Sequence, residues 1–251
     1  NRAIKTQITN HRKITKVIPS FSLSFNPDFM RYKYLDLITA AFVAILLLSN
    51  ITSAAKISNL WGFVFDGGMI LFPLAYIFGD VLTEVYGYAR ARRVIWIGFA
   101  MNLLMVVTFW VVGKLPAEAS WGLQTSYDNI LGIVWRISLA SLIAYLVGEF
   151  SNSYILAKLK IKTQGKKLWL RAIGSTVVGQ FLDTTIFLVI AFAGVLPWSL
   201  ILSIWIANYI FKIVIEIVLL PVTYRTVKYL KVREAIDYFD TETDFNPIAT
   251  K

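Results

Sequence analysis

Six apolar runs, each close to the length of a membrane crossing, constrain this chain more than anything else in it. A helix needs roughly 20 residues to span the hydrocarbon core of a bilayer. The runs fall at about Leu35–Ala55, 69–86, 94–113, 130–156, 172–195 and 198–222. Lipid offers no partner to an open strand edge, so segments of this kind are expected as helices. The predicted fold is an all-α integral membrane protein with six transmembrane helices. Composition agrees: 57% of residues are hydrophobic and 16% charged, against roughly 45–50% and 25% in soluble domains.

The net charge of +10 would suggest nucleic acid in a soluble protein, but here it is a topology signal. The N-terminal tail, the loops 87–93 and 158–171, and the C-terminus hold seven, three, six and five Lys/Arg. The alternate loops hold only Lys56 and Lys114, and Arg136 and Lys212 fall inside spans. The positive-inside rule then places both termini in the cytoplasm of a multi-pass inner (plasma) membrane protein. Trp61, Trp121, Trp169 and Trp198 fit interfacial belts. Residues 1–30 read as a polar basic tail, disordered or interfacial and in part artefactual, since Met30 directly precedes the first span. Residues 31–233 read as the transmembrane domain and 234–251 as an acidic, solvated C-terminal tail. With no cysteine and one histidine, His11 in the tail, thiol chemistry, a His-rich metal site and a buried His relay are excluded. No Walker loop, HExxH or Ser/His pair is present, so an enzyme is not expected, nor any cofactor or metal.

The informative residues are polar ones inside the spans, where a charge costs at least about 2.5–3.5 kcal/mol. The second span carries Asp80 and Glu84 at i and i+4, with Tyr76 and Pro73 continuing that face towards the other end. Either these acids pair with Arg90, Arg92 and Arg93, or they serve a polar interior. The fourth carries Ser138, Ser141, Tyr145, Gly148, Glu149 and Asn152, a stripe that also suits close helix packing. The fifth aligns Thr176, Gln180, Asp183, Thr184 and Phe187; the sixth aligns Asn208, Lys212 and Glu216, with Tyr209 beside them. Asp183 pairs naturally with Lys212. Asp80, Glu84, Glu149, Asp183 and Glu216 nevertheless outnumber Arg136 and Lys212, which points to a ligand or proton site. Carboxylates beside carboxamides and aromatic rings suit a planar heterocycle with N–H donors. The scarcity of interior cations argues against polyanionic substrates.

Three segments resemble a known family: FPLAYIFGDVLTEVYGYARARRVIW (72–96), GQFLDTTIF (179–187) and NYIFKIVIE (208–216). They are similar to the queuosine precursor transporter family, also called the vitamin uptake transporter family, over about residues 31–235. The resemblance implies uptake of 7-deazaguanines such as preQ0, preQ1 or queuine, precursors of a modified tRNA nucleoside. It implies a fold similar to the substrate-binding components of energy-coupling-factor transporters. The expected partners are a small heterocycle and the lipid bilayer, with a homodimer allowed by the flat apolar faces and no nucleic acid. The expected substrate-binding residues are Phe72, Tyr76, Asp80, Glu84, Tyr145, Glu149, Gln180, Asp183, Asn208, Tyr209 and Lys212. Asp183 or Glu84 would take the adjacent N1–H and amino group of the base. Asp80, Glu84 or Glu149 could couple transport to a proton. The alternative is a binding component driven by a separate ATPase module, with Ala40, Ala41 and Ala44 as a weak docking motif.

Overall fold

Most of the long apolar runs form continuous helices, through internal Gly and Pro residues as well. A computed structural model describes residues 32–60, 63–132 and 135–249. The basic tail and Trp61 lie outside them, as do the side chains of Arg136 and Ser138. The long helices are α1 (Leu35–Ala55), α3 (Tyr88–Lys114), α5 (Trp135–Lys162), α6 (Leu168–Phe192) and α7 (Trp198–Glu234), with a ten-residue α2 (Phe72–Val81) between α1 and α3. A four-residue α4 (Gln124–Tyr127) precedes α5. One antiparallel hairpin, β1 (Ile57–Leu60) and β2 (Phe63–Asp66), joins α1 to the second helical region, in the register Ile57 to Asp66. Among the described residues, five helices, within α1, α3, α5, α6 and α7, are long and apolar enough to cross a membrane. Leu202, Ile210, Val214 and Val218 are exposed along α7, as a lipid-facing surface requires.

The run at 69–86 is not one helix. A 3-10 turn (Gly67–Ile70) leads into α2, and a wide i→i+5 turn (Leu82–Tyr86) follows it. At 1.5 Å per residue α2 alone is only about 15 Å long. The wide turn is wholly buried, so its irregular backbone is shielded by protein rather than exposed to lipid. Gly87 then takes φ +85° and ψ 166°, a conformation open essentially to glycine alone, and an added Cβ would run into the Tyr238 ring. Helix α3 starts at Tyr88, six residues earlier than the hydropathy suggests. Arg90, Arg92 and Arg93 are therefore helical, Arg92 buried and Arg93 exposed.

Helices α5 and α6 form the most extensive pairing. They meet at two glycines: a Cβ on Gly148 would approach Asp183 Cβ to 2.8 Å, and one on Gly179 would approach Asn152 Cβ to 2.9 Å. The close-packing reading of the small-residue stripe thus holds for Gly148. The same approach sets Asn152 and Asp183 against the neighbouring helix, where the interior polar groups converge.

The acidic C-terminal stretch is not a solvated tail. Asp240 is 2% exposed and accepts from Tyr88 N–H at 3.0 Å. Arg92 Nη1 donates to the carbonyls of Asp244 (2.8 Å) and Asn246 (2.7 Å). Phe245 packs 5.0 Å from the Tyr88 ring, with Lys158 Nζ 3.9 Å from its own centroid. Composition hides this because the acids are interspersed with Tyr238, Phe239 and Phe245, which supply apolar anchors. Asp237 completes the strap through Lys160 (2.6 Å) and Lys231 (2.8 Å). Partial burial raises its carboxyl, but these two hydrogen-bonded ammonium groups outweigh that and hold it below the usual aspartate range. A lowered folded-state value means the unfolded chain binds the proton more readily. The contribution is therefore full above about pH 4 and lost as pH falls through the folded value. Hydrogen exchange of residues 237–246, corrected for intrinsic rates, should lose protection below about pH 4. In Asp237→Asn it should already be weakened at neutral pH, and equal protection there would refute the pairing.

Candidate functional site

A cavity of about 940 Å³ lies among α1, α2, α3, α5, α6 and α7, within the usual range for small-molecule pockets. Its walls come mainly from the middle and C-terminal part of α1 (Phe42, Asn50), the start of α2 (Phe72, Tyr76), the second half of α3 (Asn102, Phe109) and the first half of α7 (Asn208, Lys212). These are the halves remote from the basic end of the bundle. The cavity therefore opens away from that end and stops near mid-bundle.

Of the expected site residues, Phe72, Tyr76, Tyr145, Glu149, Gln180, Asp183, Asn208 and Lys212 line this cavity. Lys212 Nζ donates to Asp183 Oδ2 at 2.7 Å, the pairing that the spacing anticipates. Both are partly accessible, at 19% and 23%, because they face the cavity. The ammonium also sits 5.9 Å from the Phe72 ring and 5.8 Å from Tyr76, within cation–π range. Gln180 is buried and its Oε1 has no hydrogen-bond partner among the described residues. Asn208 Nδ2 donates to its own helix at Ile204 (3.0 Å), which leaves its carbonyl oxygen and its second N–H to offer a ligand. Tyr145 has its hydroxyl committed to the Ile95 carbonyl at 3.1 Å and presents its ring.

Three expected residues are not on the wall. Glu84 is fully buried beyond the floor. Its Oε2 accepts from Arg171 Nε (2.6 Å), and its Oε1 from Arg171 Nη2 (2.7 Å) and Lys231 Nζ (2.6 Å). Lys160 Nζ lies 3.7 Å from Oε1 and donates to the Glu84 carbonyl at 2.6 Å. The nearby arginines 90, 92 and 93 are not the partners of Glu84, because α3 turns away at Gly87. Asp80 is 1% exposed and accepts from Asn152 Nδ2 at 2.9 Å. Tyr209 lies one residue, hence about 100°, from Asn208; it donates to the Val177 carbonyl (3.0 Å) and stacks on Trp205 at 4.9 Å.

The wall also holds polar residues not expected as ligand contacts. Asn50 on α1 donates to Asn102 Oδ1 on α3 (3.0 Å) and accepts from Ser141 on α5 (3.1 Å), a three-helix amide cluster. Asn152 joins them on the lining. Their signal was available as lone amides within apolar runs, but each amide sits alone in its helix and converges only in three dimensions.

A family model described as "Putative vitamin uptake transporter" matches residues 66–226. A Bacillus subtilis (strain 168) protein named "Probable queuosine precursor transporter" is 34% identical over 179 residues, 70% of this chain and 77% of that protein. The Escherichia coli (strain K12) "Queuosine precursor transporter" is 28% identical over 75% of this chain and 83% of its own length. A Haemophilus influenzae protein named "Probable queuosine precursor transporter" is 25% identical over 70% of this chain and 73% of its own. No solved structure matches the chain.

Proposed function

We propose that this chain, which belongs to the vitamin uptake transporter family, carries 7-deazaguanine precursors of queuosine such as preQ0, preQ1 or queuine through the cavity described above. The family is one of transporters, not enzymes. The observation that carries the substrate class is the Asp183–Lys212 pair set beside Gln180 and Asn208 under an aromatic wall. A 7-deazaguanine presents N1–H and an exocyclic amine side by side, and one carboxylate accepts both in a charge-assisted contact. Asp183 is the carboxylate for this, since both oxygens of Glu84 are taken by Arg171 and Lys231. Gln180 and Asn208 serve the remaining polar edge, while Phe72 and Tyr76 cover the ring face. Glu149, on the same wall, meets the aminomethyl cation of a preQ1-type substrate.

In this reading the helical pieces from 67 to 86 complete a sixth crossing, and the bundle resembles the substrate-binding components of energy-coupling-factor transporters. The basic end, with both termini, faces the cytoplasm of the inner membrane, so the cavity opens outward.

The test is direct binding and thermal stabilisation of the detergent-purified chain by preQ0, preQ1, queuine and guanine. Selective stabilisation by a deazaguanine is expected. Gln180→Ala should weaken it about tenfold, the value of one hydrogen bond of roughly 1–1.5 kcal/mol. No stabilisation by any deazaguanine would remove the substrate assignment. Uptake by the chain alone in proteoliposomes is expected; a requirement for an ATPase module would make it a binding component instead.

A further inference from the structure

We propose that Asp80 on α2 and Glu216 on α7 form a proton-binding site, one proton held between two carboxyls below the cavity floor, and that filling and emptying it accompanies transport. The proposal rests on the transporter reading but not on the identity of the substrate.

Interior charges divide into three groups. Glu84 is held by Arg171 and Lys231, and Asp183 by Lys212. Glu149 has no cationic partner among the described residues, but it lines the cavity, where a ligand reaches it. Asp80 and Glu216 also have no cation among the described residues, and they do not line the cavity. Each is 1% exposed. Asp80 Oδ2 and both oxygens of Glu216 lack a hydrogen-bond donor among the described residues, and the two acids are neighbours on α2 and α7, helices that pack together. Leaving two carboxylates buried together costs several kcal/mol per ion in desolvation before their repulsion is counted. Two carboxyls placed this way hydrogen bond only when one carries a proton, the arrangement used by paired acids elsewhere.

A residue that is not an acid also points into the pair. Asn152 on α5 is 7% exposed, donates Nδ2 to Asp80 Oδ1 at 2.9 Å, and keeps an Oδ1 without a donor among the described residues. Asn152 and Glu149 line the cavity, and Glu149 Oε2 would lie 2.9 Å from a Cβ on Gly79, the residue before Asp80. They connect cavity water to the pair. The charged groups around it are Glu149 and Lys160 from α5, Lys212 and Lys231 from α7, Asp183 and Arg171 from α6, and Glu84 one turn along from Asp80. Every cation in that set is bonded to Glu84, Asp183 or Asp237. Helix α1, which also packs on α2, has no charged side chain at this level.

On loading, a hydronium ion in the cavity gives its proton to one carboxylate, an O–H bond forms, and water remains. On release the O–H bond breaks, a water molecule takes the proton as hydronium, and two neighbouring carboxylates remain, driving α2 and α7 apart. That separation occurs between the cavity floor and the Glu84 cluster, on the path a substrate must take to leave the closed end.

The test is infrared spectroscopy of the full chain in lipid nanodiscs at neutral pH, reading the deuterium-sensitive C=O stretch of protonated carboxyls. Asp80→Asn and Glu216→Gln should each remove the same band intensity, and the double variant should remove no more than either. Absence of a protonated-carboxyl band in the unsubstituted chain, no loss in the variants, or additive loss would overturn the shared proton. The second arm is uptake into proteoliposomes under an inward proton gradient. Glu216→Gln should bind a deazaguanine as the unsubstituted chain does but lose gradient-driven accumulation. Retained accumulation would overturn the coupling. If no deazaguanine binds even the unsubstituted chain, the substrate assignment falls while the infrared arm still decides the proton site.

Discussion

Glu84→Ala should cost this protein more stability than any other single change in its interior. The carboxylate is 0% exposed and accepts from Arg171 Nε and Nη2 at 2.6 and 2.7 Å together with Lys231 at 2.6 Å. Breaking a buried pair by removing one partner costs about 3–5 kcal/mol, because the charge left behind is uncompensated. Here a guanidinium only 2% exposed loses its carboxylate, while Lys231 keeps Asp237 at 2.8 Å. The substitution also loosens three attachments at once, since Glu84 belongs to the wide turn after α2, Arg171 to the start of α6 and Lys231 to the end of α7. In detergent the variant should melt far below the unsubstituted chain or fail to accumulate. Arg171→Ala should cost less, because Lys231 still serves Glu84. The double variant should be less destabilised than the sum of the singles, the signature of a direct pair. A Glu84→Ala protein as heat-stable as its parent would refute the cluster. Whatever folds should keep its ligand affinity, because Glu84 is off the cavity wall.

The partner of Glu84 marks where sequence reasoning stops. Arg90, Arg92 and Arg93 are close in sequence, and proximity favours them. Arg171 lies 87 positions away in a stretch that charge counting treats as loop. What redirects the acid is backbone geometry: the wide turn and the positive φ of Gly87 send α3 off in a new direction. A local backbone irregularity leaves almost no trace in hydropathy. Patterns that depend on one helix's periodicity were legible: α1 has the expected bounds, Gln180, Asp183, Thr184 and Phe187 share the cavity face of α6, and Lys212 meets Asp183. Tyr209 shows the limit, since a 100° rotation separates a wall residue from one packed on α6. The 37-residue α7 shows another. At about 55 Å it outruns the roughly 30 Å core, and its polar end ties down the C-terminal strap through Lys231. No apolar-run analysis detects such an extension.

Asp183→Asn should abolish useful ligand binding while sparing most of the fold. Lys212 and Asp183 border a cavity of about 940 Å³ and are each about a fifth accessible. Water can therefore hydrate the stranded ammonium, and the loss of stability should be well below that of Glu84→Ala. Binding is different, because a ligand displaces that water. Truncating one member of a charge pair that binding desolvates costs about 2–5 kcal/mol, a loss of about 30-fold or more in affinity for a deazaguanine. The substitution alone does not separate direct contact from a role in positioning Lys212 beside Phe72 and Tyr76. Asp183→Asn combined with Lys212→Met does. It removes both charges and leaves neither stranded, so the melting temperature should return towards that of the parent. If Asp183 accepts the ligand's adjacent N–H groups, calorimetry on this stable double variant will still detect no binding. If the carboxylate only neutralises Lys212, affinity will recover along with stability, and the assignment of Asp183 as the recognition residue fails.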